Sequence, residues 1–167
     1  ITENELLEIA FDSEINPGAT TVEVLLYNGA DGTVYNTLNL NTFTVGSTTA
    51  GITMYTTLTT LQDDSDGIAL TVSGVLQRFI SYEGAFLATD GPATGVGSDD
   101  VVLTQTNGSA TESIGYTGTG GEPADFDWRI LGARTIGTVN TGQTIENIGE
   151  FVEIALDKYI DPSTDQE

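Results

Sequence analysis

The chain has 167 residues, enough for one domain with a sizeable core, and four basic residues (Arg78, Arg129, Arg134, Lys158) face 25 acidic ones for a net charge of −21. A surface of that sign repels phosphate, which argues against nucleic acid as a partner. There is no Cys and no His, which excludes disulfides, thiolate chemistry, zinc fingers, histidine metal centres and Ser-His-Asp triads.

Taken in order, Glu5 to Phe11 reads as a short strand buried on at least one face. Asn16-Pro17-Gly18 ends it. Thr20 to Tyr27 is the next strand, and Asn28-Gly29-Ala30-Asp31-Gly32 predicts a hairpin turn, because Asn-Gly and Asp-Gly favour positive φ. Thr33 to Leu38 returns as its partner. Phe43–Val45 and Ile52–Leu58 are two more strands, joined by Gly46 to Gly51. Leu61 to Gly67 is an acidic loop, followed by strands at Ile68–Val72 and Val75–Tyr82 with Ser73-Gly74 between them. Glu83 to Asp100 is a long Gly-rich loop without periodicity. Val101–Gln105 is read as a strand, Asn107-Gly108 as a turn, and Ser113–Tyr116 as a short strand at best. Gly118 to Pro123 is loop, Phe126–Ile130 carries Trp128 as a core plug, and Thr135–Gln143 is closing coil. Many short strands with frequent turn signals predict an all-β sandwich or barrel. No apolar run approaches the ~18 residues of a membrane helix. The chain starts without Met, so Ile1 reads as a processed or trimmed start.

One word occurs twice. Glu5-Leu6-Leu7-Glu8-Ile9-Ala10-Phe11-Asp12, with Ile15 and Pro17 after it, returns as Glu150-Phe151-Val152-Glu153-Ile154-Ala155-Leu156-Asp157, with Ile160 and Pro162 after it. The offset is 145 throughout, and within the eight-residue word the unmatched positions Leu6/Phe151, Leu7/Val152 and Phe11/Leu156 are apolar swaps. Residues 145–167 therefore form a tail that repeats the opening strand. That tail reads either as the first strand of a following unit in a tandem array or as a donor strand that pairs with an open sheet edge elsewhere. A head-to-tail donation need not close and propagates into a fibre.

The acidic residues offer a second theme. Asp63-Asp64-Ser65-Asp66-Gly67 spaces acids as a calcium loop does but lacks the twelfth-position Glu and the helices of an EF-hand. An Asp-rich turn is the bland alternative. A Ca2+ held by Glu83, Asp90 and carbonyls of the Gly-rich loop is the preferred form of the metal reading, with Asp63, Asp64 and Asp66 as further candidates. The net charge by itself fits solubility or a salty setting equally well. Glu8 and Glu23 are read as structural acids, either solvated or cation-bound, since no His, Cys or Lys stands near to complete a catalytic set. Tyr27, Tyr35, Tyr55, Tyr82, Tyr116 and Tyr159 could form a sugar-binding strip, against ordinary packing at cross-strand and rim positions. Asn107-Gly108-Ser109 fits a glycosylation sequon and reads as a turn.

Several words together resemble the lamin-tail domain family, bacterial secreted branch. They are the repeated word above, Leu26-Tyr27-Asn28-Gly29 with Gly32-Thr33-Val34-Tyr35, and Asp66-Gly67-Ile68-Ala69-Leu70. Ile80-Ser81-Tyr82-Glu83-Gly84, Ala88 to Ala93, Phe126-Asp127-Trp128 and Val139 to Thr144 complete the set. The resemblance spans nearly all of residues 5–144 and implies an immunoglobulin-like β-sandwich, non-catalytic and extracellular. It departs at the start. Family members commonly open with a further strand before the repeated word, so a missing piece or an empty edge is expected beside the first strand.

The sequence thus predicts an all-β, immunoglobulin-like β-sandwich over 1–144 with a C-terminal β-strand extension over 145–167. The expected function is an extracellular structural protein that joins copies of itself head-to-tail through Glu150–Leu156, with Ca2+ offsetting its charge. The alternative is a non-catalytic binding or adhesion module of a secreted multi-domain hydrolase, engaging a glycan or surface. Neither an enzyme nor insertion into a membrane is expected.

Overall fold

A computed structural model describes residues 5–62, 65–103 and 112–146, together with the backbone of 152–155. The chain is all-β, and the described residues contain no α-helix, only two single 3-10 turns at Leu40–Thr42 and Pro123–Asp125. By contact the chain divides into two compact units. Each is built from separated segments: one from Ile1–Glu14, Thr44–Thr60 and Gln105–Glu167, the other from Ile15–Phe43 and Leu61–Thr104.

The first unit holds two sheets. One has the order β12-β1-β5-β4, where β1 is Glu5–Asp12, β4 Thr44–Thr49, β5 Ile52–Thr59 and β12 Val152–Ala155. The other has the order β10-β9-β11, with β9 at Ser113–Gly120, β10 at Phe126–Leu131 and β11 at Gln143–Ile145. They pack as two layers of a β-sandwich: Ala10, Ile52 and Met54 of the first meet Tyr116, Phe126 and Ile145 of the second. The expected boundary between 144 and 145 therefore falls within β11, whose Ile145 is a core residue.

Of three local differences from the sequence reading, the first two trace to glycine. β4 continues past Val45 to Thr49 and turns into β5 on two positive-φ residues, Ala50 (φ 50°) and Gly51 (φ 87°), a tight hairpin in place of an open connector. β9 runs to Gly120 where loop was expected. Its glycines are there because neighbours crowd the backbone: a Cβ on Gly115 would lie 2.7 Å from Leu131 Cδ1. Trp128 is only half-buried, stacked on Tyr116 at 4.0 Å between ring centres, and the plug is Phe126 instead. β10 is an edge strand, and on the face of Phe126, Trp128 and Ile130 exposure rises from 6% at Phe126 to 39% at Ile130.

The second unit is one sheet of order β3-β2-β6-β7-β8, with β2 at Val22–Asn28, β3 at Thr33–Asn39, β6 at Asp66–Val72, β7 at Val75–Tyr82 and β8 at Asp99–Asp100. β8 pairs parallel to β7, and Val101–Leu103, expected as a strand, lies outside any strand. Gln105, the end of that expected strand, lies outside the described residues. The long loop after β7 is a packing element. Its Ala88 and Ala93 sit with Leu25, Tyr27, Ala69 and Phe79 of the sheet, and Phe86 meets Phe79 edge-on at 5.4 Å. The Tyr27 hydroxyl ties the loop down, donating to the Asp90 carbonyl (3.1 Å) and accepting from the Ala93 N–H (3.2 Å). In the β2–β3 turn only Gly32 has positive φ (75°). Gly29 serves close approach: a Cβ there would lie 1.5 Å from the Ser65 carbonyl oxygen.

Candidate functional site

β1 is the most enclosed strand among the described residues. All eight residues are buried, including Glu5, Glu8 and Asp12, and Leu7, Ile9 and Phe11 are fully so. One edge pairs antiparallel with β5 over the whole of its length, from Glu5 opposite Thr59 to Asp12 opposite Ile52. Alternation puts Glu8 on the same face as Ala10. There its Oε2 accepts the N–H of Gly137 at 2.7 Å. The same Gly137 gives its carbonyl to the N–H of Ser47 on β4, also at 2.7 Å. The loop between β10 and β11 is thus clamped to two strands of the facing sheet through a single residue. Gly46, at the bulge of β4, is what lets it in: a Cβ there would lie 2.4 Å from the Gly137 oxygen. The sequence reading makes Glu8 a structural acid, solvated or cation-bound; it is instead buried, with a backbone N–H on its carboxylate. Gly137 itself carried no sequence signal, because the approach is between segments far apart in the chain.

The other edge of β1 is where the sequence expected a missing piece or an empty edge. The second copy of the word occupies it: Val152–Ala155 runs antiparallel to β1, with Phe11 opposite Val152, Ala10 opposite Glu153, Ile9 opposite Ile154 and Glu8 opposite Ala155. Val152–Ala155 therefore lies beside the first copy, within the same chain, as an edge strand of the sheet. Glu150, Phe151 and Leu156 lie outside the described residues.

The acids named for Ca2+ are dispersed in role. Asp63 and Asp64 lie outside the described residues. Asp66, at the start of β6, is buried (1% exposed), and its Oδ1 accepts the Gly29 N–H at 2.8 Å. Asp90 is exposed, with Oδ1 accepting the N–H of Gly91. Glu83 ends β7's turn at φ 62°, its carbonyl accepting the Ser65 hydroxyl. Glu83 lines an open cleft of about 410 Å³ with Gly84, Asp100, Val102 and Leu103. After β8, Asp100 accepts the N–H of Val102, a β-branched residue at φ 54°. Among the described residues no three acidic side chains cluster as a metal group. Elsewhere, Thr33 holds the Asp31 carboxyl below its usual range, and the N–H groups of Glu122 and Gly121 do the same for Asp125. Burial raises the Tyr27 hydroxyl above its usual value, partly opposed by the Ala93 N–H, and raises that of Tyr55.

The tyrosines weighed as a sugar strip are mostly interior: Tyr27, Tyr82 and Tyr116 are at most 2% exposed and Tyr55 8%. Tyr159 lies outside the described residues. No family model, curated protein or solved structure matches the chain.

Proposed function

We propose that the protein is a non-catalytic, extracellular structural module that joins copies of itself through its repeated strand. In the assembled form, Val152–Ala155 of one molecule leaves its own β1 and takes the same register on β1 of the next. Such a contact is head-to-tail and extends into a filament. The observation that supports this is the pairing of the two copies of one word along a sheet edge. Six residues, 146–151, separate β11 from β12. A linker that short gives the tail an effective concentration on the order of mM at its own β1, so exchange competes only at high local density, as on a crowded surface. Ca2+ enters as the counter-ion that lets chains of net charge −21 approach one another. The lamin-tail resemblance is consistent with a module of this non-catalytic kind.

Sedimentation velocity and negative-stain imaging of the whole chain, taken up to its solubility limit with Ca2+, test the reading. Concentration-dependent polymers are expected. A single monomeric species throughout would remove it. The closed pairing of β12 on its own β1 favours a second reading, a monomeric acidic adhesion module within a larger secreted protein, and that monomer result would leave this reading standing.

A further inference from the structure

The register of β12 on β1 has a symmetry that follows from the repeat. Subtracting the offset of 145 turns Ala155, Ile154, Glu153 and Val152 into Ala10, Ile9, Glu8 and Leu7. The observed pairs then read Glu8 with Ala10, Ile9 with Ile9, Ala10 with Glu8, and Phe11 with Leu7. The word is paired with itself about a local two-fold axis through Ile9 and Ile154. A strand that pairs antiparallel with a copy of itself in this way meets the condition for an isologous interface, in which one patch serves both partners.

We propose that β1 is a self-complementary edge: when β12 is displaced, two copies of the chain pair β1 to β1 antiparallel about a two-fold axis at Ile9, and β12 is the built-in competitor for that contact. The partner is a second copy of this chain. Continuing the observed register along β1 places Leu6 opposite Asp12 and Leu7 opposite Phe11 of the partner. The pairing then spans Leu6 to Asp12, against the four positions that β12 covers. It also keeps charges apart. Each Glu8 faces an Ala10, whereas a slip of two in the register sum, which centres the axis on Glu8, would set the two glutamates directly opposite each other at a cost. The two sheets would join into one, continuous through β4-β5-β1 and the partner's equivalents, and the dimer is closed because neither copy has a second β1 to offer. This differs from the filament, in which β1 receives a tail and the tail's owner keeps its own β1 open. The tail therefore decides between an open chain of subunits and a closed pair.

The test uses the full chain carrying Glu153→Pro and Ile154→Pro together, so that whichever residue gives its N–H to β1 is removed. A second variant, Val152→Ser with Ile154→Ser, weakens the strand without proline and covers the case in which the first misfolds. Light scattering after size exclusion is expected to read twice the monomer mass for the variants at concentrations where the unchanged protein is monomeric. Hydrogen exchange is expected to give β1 amides protection that rises with protein concentration. A synthetic peptide of Glu150–Leu156 should return the dimer to monomer mass. Variants that fold and stay monomeric overturn the proposal, as do open oligomers, or dimers that neither protect β1 nor respond to the peptide. Failure of the unchanged chain to polymerise bears on the filament alone, because the dimer does not use the tail.

Discussion

β1 and β12 are nearly the same word in two positions, and the structure treats them differently. β1 is flanked by β5 along its whole length and by β12 along half, and it is buried at every residue. β12 spans four residues and pairs along one edge. The shared residues make both copies strands. What separates them is what each meets: β1 has strands paired along both edges and a glycine loop for its glutamate. A sequence repeat specifies a local conformation and a pairing partner, and leaves rank within the sheet to the rest of the chain.

The sharpest way to test this difference is to make the same change in both copies. Ile9→Ala removes a fully buried side chain and is expected to cost ~3 kcal/mol in urea unfolding. Ile154→Ala is expected to cost clearly less; equal losses would mean that the tail belongs to the core as much as β1 does. Gly46→Ala comes next. The new Cβ meets the Gly137 oxygen at 2.4 Å, so the clamp over β1 must move, at ~2 kcal/mol. An unchanged midpoint would show that the loop does not help hold β1 in place.

Glu8→Gln is expected to cost ~1.5 kcal/mol, since the Gly137 N–H keeps an acceptor but loses a charged one. The copy change Glu153→Gln should leave the unfolding curve where it was. A matching loss from the two would imply that both glutamates play one role.

The smallest effect lies in the other unit, where strand and loop are joined without the repeat. Tyr27→Phe removes the hydroxyl that holds Asp90 and Ala93 and is expected to cost ~1 kcal/mol at neutral pH. The pH dependence has a definite sign. Burial raises the folded hydroxyl above its ordinary value, so its stabilisation is complete below about pH 10 and is lost as pH climbs through the higher folded value. The gap between the unchanged protein and Tyr27→Phe should therefore narrow in alkaline solution, as read by urea midpoints taken across that range. A gap that stays constant would separate the hydroxyl from the loop's stability.

Much of the fold was legible. The Ser73-Gly74 turn and the strands Glu5–Asp12, Ile52–Thr59 and Val75–Tyr82 follow from alternation and from residues that tolerate positive φ, whereas the hairpin on Ala50-Gly51 reads in the sequence only as a Gly46–Gly51 connector. β9 was not, because Gly115, Gly118 and Gly120 look like loop residues until the neighbours that exclude a Cβ are known. The packed loop after β7 was not either. Its order comes from Tyr27, Phe79 and Phe86, contacts between segments that no local pattern announces. Of the candidate site, the repeat was visible as text, and the role of Gly137 was not.

By itself the sequence determined that the chain is all-β, that it is strongly acidic, and that one strand is written twice. Those are properties of composition, of period-two alternation and of identity at a constant offset, and each is readable without neighbours. Only the tertiary structure decided that the second copy lies along the free edge of the first, centred on Ile9, and that Glu8 is spent on a distant glycine. Both depend on which backbone N–H and carbonyl groups are left unpaired once every other strand is in place.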